Sequence, residues 1–128
     1  MTPKYTRVAG GSFTPLENRL LAILCSGTGT ASSIARSQLT EATWGGYEHD
    51  DCACFLISVT PAANAQGIMH DGGPFSFAEV SDGETTLGLL ELWVVDERLH
   101  SVNYMPFGDD HVELPSPENY TITLIENE

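Results

Sequence analysis

The chain has little positive charge, little cysteine and no long apolar run, and each shortage removes a class of protein. Only five lysines and arginines face eighteen aspartates and glutamates in 128 residues, a formal net charge of −13 at pH 7. A surface of that sign repels polyphosphate, which excludes nucleic acid and anionic lipid as favoured partners. No stretch approaches the ~20 apolar residues that a membrane-spanning helix needs. Met1 to Arg7 carry charge with no apolar segment behind them, so neither a membrane span nor a secretion signal is expected. Three cysteines (Cys25, Cys52 and Cys54) are an odd count that suits no disulfide framework. Free thiols in a reducing cytoplasm are the expectation. There is no internal repeat and no low-complexity tract.

What is present suffices for a core. The hydrophobic share is 41%, with two Trp, four Tyr and five Phe, and disorder would need low hydrophobicity alongside the high charge. A chain of this length hides roughly two-thirds of its unfolded surface, so one domain over residues 1–128 is expected. The charge is unevenly spread. Residues 1–36 hold Lys4, Arg7, Arg19 and Arg36 against Glu17 alone, a balance of +3; residues 37–128 hold seventeen acids against Arg98 alone, a balance of −16.

Thr14-Pro15-Leu16-Glu17 has the form of a capping box with proline at the first helical position, where a missing N–H costs nothing. Leu16, Leu20, Ile23 and Leu24 then recur at helical spacing, with Cys25 on or beside the stripe, and Ser26-Gly27-Thr28-Gly29 ends the helix. A second helix is predicted from Thr30, with Ile34 and Leu39 as its inner face and Ala31, Ala35 and Ala42 permitting close approach. From Thr43 the pattern changes to strands: Thr43 to Tyr47 with a bend, an acidic turn at Glu48 to Asp51, and Cys52 to Val59, apolar enough to be central. Pro61 to Gly73 reads as a connecting loop. A short strand around Phe75, Phe77 and Val80 follows, and Asp82-Gly83 turns the chain into the longest strand, Thr85 to Val95. There Leu90, Leu92 and Val94 share one side, and Leu89, Glu91, Trp93 and Val95 the other. Asp96-Glu97-Arg98 reverses the chain into a partner strand from Leu99 to Tyr104, and a last strand lies at Tyr120 to Ile125. Helices first and antiparallel strands after predict an α+β fold, an N-terminal helical hairpin packed on a mainly antiparallel sheet.

Three constellations have the residue types of chemistry. His49-x-x-Cys52-x-Cys54 offers metal donors, but structural zinc sites pair Cys-x(2–4)-Cys with a second pair elsewhere, and the spacing requires no fourth ligand. Gly27-Thr28-Gly29-Thr30 enters a helix as phosphate-binding turns do, yet it lacks the Gly-Lys-Ser/Thr ending and follows a helix, not a strand. His100, Asp109, Asp110, His111 and Glu113 combine carboxylate with imidazole, a set able to hold a divalent metal or move protons. No Ser or Cys stands in a recognisable nucleophile context. Neither a catalytic residue nor a cofactor is therefore predicted.

Leu16-Glu17, Leu20-Leu21 and Ile23-Leu24, then Gln38-Leu39 with Ala42, the Cys52-x-Cys54 pair, and Leu90-Glu91-Leu92-Trp93-Val94-Val95-Asp96-x-Arg98-Leu99 closing on Glu113-Leu114-Pro115-Ser116-Pro117 resemble, in that order, a group of small uncharacterised bacterial proteins. The likeness spans most of residues 13–117 and departs from the group at Val102-Asn103-Tyr104, where a Leu-Glu pair is expected. By analogy such proteins are similar to immunity proteins of polymorphic toxin systems, which implies a cytoplasmic inhibitor that occludes a basic toxin domain. Glu48, Asp50, Asp51, Asp96, Glu97, Asp109, Asp110 and Glu113 would meet the partner's Lys and Arg. Tyr47, Tyr104 and Phe107 would be exposed aromatic anchors. The alternative is a metal-binding protein or enzyme using His49, Cys52 and Cys54, or His100, Asp109 and His111; a third reading is a non-catalytic domain whose acidity keeps it dissolved.

Overall fold

The thirteen-residue stretch from Ser12 to Leu24 shows how closely local chemistry dictates structure. In the computed structural model, which describes residues 8–47, 54–59, 67–69, 73–107 and 114–125, the Thr14 hydroxyl accepts the Glu17 backbone N–H at 3.1 Å. The Glu17 carboxylate accepts the Thr14 N–H at 2.9 Å. This reciprocal cap starts α1, Pro15–Leu24. Leu20, Leu21 and Leu24 are its buried face, and Cys25 caps its end wholly inside the core.

A second helix, α2, spans Thr30–Leu39. Its inner face differs from the Ile34–Leu39 stripe expected: Ser32, Ala35 and Gln38 are buried, while Ile34 and Leu39 are only partly covered. Small side chains there let the helix approach the sheet closely, and this placed Gln38 inside. Arg36 donates to the carbonyls of Cys25 and Gly27, both at 2.7 Å, so one guanidinium satisfies acceptors at the end of α1 and complements its dipole.

Six strands follow: β1 Ala42–Tyr47, β2 Phe55–Val59, β3 Ser76–Asp82, β4 Thr85–Val95, β5 Arg98–Pro106 and β6 Thr121–Ile125. They form one sheet in the order β1-β2-β5-β4-β3-β6, with every neighbouring pair antiparallel. The architecture is the expected α+β, with both helices early in the chain. Both pack on the sheet, α1 over β3, β4 and β6 and α2 over β5.

The face under the helices follows from strand alternation. Phe55 and Ile57 of β2, Ala78 and Val80 of β3, Leu90 and Leu92 of β4, and Leu99 and Val102 of β5 are its buried members. Ser76 reaches the same layer and donates its hydroxyl to the Leu24 carbonyl at 2.8 Å, in full burial. Ile68, in what reads as an undifferentiated loop, is completely buried in this core, and its N–H bonds the Glu97 carbonyl at 2.8 Å. Gly88 explains one local packing choice. A Cβ there would lie 2.5 Å from the Met105 carbonyl oxygen and 2.8 Å from the Tyr104 ring, so the missing side chain lets that ring lie against the strand.

Candidate protein-binding face

The β4–β5 hairpin presents both the long strand and its acidic tip. Val95 pairs with Arg98, so Asp96 and Glu97 form a two-residue turn, with φ of 54° and 67°. Two left-handed residues are what a type I′ hairpin turn requires, a geometry normally given to Asn-Gly. Without glycine it costs roughly 1–2 kcal/mol per residue, so surrounding contacts must hold it. Gln38 does so from the neighbouring helix. Its amide nitrogen donates to the Glu97 carbonyl at 2.9 Å, and its amide oxygen accepts the Leu99 N–H at 3.0 Å. One buried side chain therefore grips both sides of the turn, and Ile68 adds a third bond.

The sheet face away from the helices is lined across β5, β4, β3 and β6 by rows of partners. One row runs Asn103, Glu91, Phe77, Ile125; the next runs Met105, Leu89, Glu79, Thr123. Beside the first, Trp93 stands opposite Ser101, which in turn faces Leu56 of β2. No described helix covers this surface, and Val95, Met105 and Ile125 are each more than two-fifths exposed. Two carboxylates, Glu79 and Glu91, are thus set among aromatic and aliphatic side chains.

Around Trp93 the surface sinks into an open depression of about 300 Å³ lined by Glu91, Trp93, Val95, His100, Ser101 and Asn103. The β-bulge opposite Trp93 and Val94 leaves His100 without a cross-strand partner, and an extra residue re-aims side chains locally. His100 Nδ1 lies 3.1 Å from the Ser101 hydroxyl. The Trp93 indole N–H donates to Glu91 Oε1 at 3.1 Å, fixing ring and carboxylate relative to each other.

No family model, curated protein or solved structure matches the chain.

Of the acidic residues expected to meet a partner, the structure brings Asp96 and Glu97 together at the hairpin tip, both exposed. Glu48, Asp50, Asp51, Asp109, Asp110 and Glu113 lie outside the described residues, as do His49, Cys52 and His111 of the metal-type constellations. Among the described residues no three metal-donor side chains converge. Cys54 is buried, and its sulfur accepts the Tyr104 N–H at 3.3 Å.

Tyr104 is not an open anchor and does not join the tip. It sits on the helix-side face, opposite Leu90, six residues along β5 from Arg98, roughly 20 Å at the rise of a strand. Burial, with Tyr120 nearby as a lesser cause, raises its phenol above the ordinary range. Tyr47 is half-buried, edge-on to Trp44 at 4.9 Å. Phe107 alone of the three is half exposed, at 50%. The aromatics on the open face are Phe77 and Trp93, and the side of Trp93 is evident from its alternation with Leu92 and Val94.

Because helices precede strands, the unequal charge along the chain becomes an inequality between layers. In the described part of the helix layer, Arg19 and Arg36 are matched by Glu17 and Glu41. The strands and hairpin turns carry Glu79, Asp82, Glu84, Glu91, Asp96 and Glu97 against Arg98. Arg19 is further occupied by Glu118 at 3.3 Å, both largely exposed, a pair worth little in itself.

Proposed function

We propose that the chain is a protein-binding inhibitor of the immunity type, which neutralises a basic toxin domain by covering its cationic surface. The single observation carrying this reading is the sheet face that no described helix covers, where Glu79 and Glu91 lie within an aromatic and aliphatic surface continuous with the acidic hairpin tip. An anchor such as Trp93 gives binding energy once desolvated. The carboxylates give complementarity to Lys and Arg and accelerate encounter. A nuclease suits this arrangement, since its phosphate-binding cations would be the groups occluded, and its substrate would be excluded without any chemistry on the inhibitor's part. The location in which this would operate is the cytoplasm, where such a toxin acts.

The test is capture of purified basic toxin domains encoded beside this chain by the immobilised protein, at ~50 mM and ~500 mM salt. Surface charges are screened beyond ~10 Å at 0.1 M and beyond ~3 Å at 1 M. Capture at low salt that weakens steeply with added salt, together with loss of the toxin's activity, supports the proposal. Absence of capture at low salt contradicts it.

A further inference from the structure

We infer that the depression beside Trp93 is a receptor for one arginine side chain of the protein partner. The inference deepens the inhibitor reading and rests on it for the partner, but the subsite has its own chemistry. The volume of about 300 Å³ is at the lower limit of ligand pockets, which suits a single long side chain better than a cofactor. Its wall combines one full negative charge with one large π-face, and those two groups are already coupled: Glu91 Oε1 holds the Trp93 indole N–H at 3.1 Å. A carboxylate has about four acceptor positions, so one donor from Trp93 orients Glu91 while leaving capacity for more.

A guanidinium meets all of these features together. It is planar and weakly hydrated, lies flat on an indole ring, and forks onto a carboxylate with parallel N–H bonds. An ammonium can use the charge but cannot supply the fork, and an anion is repelled. Ser101 and Asn103 complete the wall with neutral polar residues, and Val95 offers apolar surface to the methylene stem. Among the described strand residues, the other charged groups on this face are Glu79, one row from Glu91, and Arg98, opposite Val95 at the rim, while His100 lines the depression itself. Arg98 is exposed and does not line the depression. The site is therefore negative where a cationic head would enter.

The experiment uses the ¹⁵N-labelled full chain and N-acetyl-arginine amide as the probe, with the lysine and citrulline analogues beside it. Two indole N–H signals are expected, from Trp93 in the depression and from Trp44, which is buried in the core and serves as an internal reference. Saturable movement of the Trp93 signal with a Kd of ~1–10 mM, a range natural for one side chain, is the expected result. The lysine analogue should bind at least about threefold more weakly, and the neutral citrulline analogue about tenfold more weakly. Glu91→Gln, whose amide oxygen still accepts the indole N–H, should weaken arginine by about tenfold. Glu41→Gln, the same charge change in the turn between α2 and β1, should leave it within twofold. An unmoved Trp44 signal shows that each variant is folded.

No Trp93 movement up to ~50 mM, equal response to citrulline, or indifference to Glu91→Gln overturns the inference. Its failure is separable from that of the inhibitor reading. Arginine binding without capture of any basic domain leaves the subsite and removes the inhibitor. Capture without an arginine response does the reverse.

Discussion

Replacing Gln38 by leucine should destabilise the protein by about 2–3 kcal/mol, most of it from a single backbone amide. Leucine keeps nearly the same volume, so no large cavity forms, but both polar atoms vanish. The Leu99 N–H, given to Gln38 at 3.0 Å in a buried setting, loses its acceptor, and a stranded buried donor costs ~1–3 kcal/mol. The Glu97 carbonyl keeps the Ile68 N–H at 2.8 Å, so its loss is a smaller ~0.5–1 kcal/mol. A chain of 128 residues unfolds with an entropy near 0.27 kcal/mol/K, at ~2.1 cal/mol/K per residue. The thermal midpoint should then fall by roughly 7–11 °C in calorimetry. Urea titration should show the same loss with an unchanged slope. Because this clamp orients the hairpin that presents Trp93, arginine affinity should fall in the same variant. A change below ~0.5 kcal/mol would refute the idea that Gln38 holds the turn.

Exchanging the turn for Asp96→Asn with Glu97→Gly removes the left-handed strain and should raise stability by ~1 kcal/mol, measured by urea unfolding, while slowing association with a basic partner. That combination separates tip charge from tip stability. Burial pushes the Cys25 thiol from its ordinary value of 9.0 up to about 12, with Arg36 opposing weakly. Since the unfolded thiol loses its proton first, stability present below pH ~9 should be lost as pH rises toward 12, by up to ~1.4 kcal/mol per pH unit. Cys25→Ala should flatten that alkaline slope in urea titrations between pH 8 and 10.5, and an unchanged slope would assign it elsewhere. Thr14→Ala removes the cap of α1 and should cost about 1 kcal/mol, read from the same unfolding curves.

Much of the fold is legible in the residues because the local signals agree with one another. The capping box and the strand Thr85 to Val95 with its two faces stand as the pattern implies, and the expected reversal at Asp96-Glu97-Arg98 is a tighter turn of Asp96 and Glu97, with Arg98 already in β5. What was hidden has tertiary causes. Gln38 is polar and is not among the expected inner-face residues, yet it continues the small-residue face of Ala31 and Ala35 and is buried. Its buried amide bonds a turn about sixty residues later in the chain. Ile68 looks like loop filler until the hairpin end it bonds is in place. Tyr104 reads as a surface aromatic, but strand parity and the gap at Gly88 turn it to the helix side. The candidate site was visible in parts, since Glu91 and Trp93 alternate away from the core leucines. Their meeting with Ser101 and Asn103 depends on the register of β5 and on its bulge, which no local pattern specifies.

The central claim is that partners dock on the face of the sheet opposite α1 and α2. Its most direct test is a footprint of the chain bound to a captured basic domain, by hydrogen exchange together with the two indole signals. Protection should concentrate on β3, β4 and β5 around Glu79, Leu89, Glu91 and Trp93, with the Trp93 indole shielded and the Trp44 indole unchanged. Protection centred on α1 and α2, with Trp93 as accessible as in the free protein, would contradict the account.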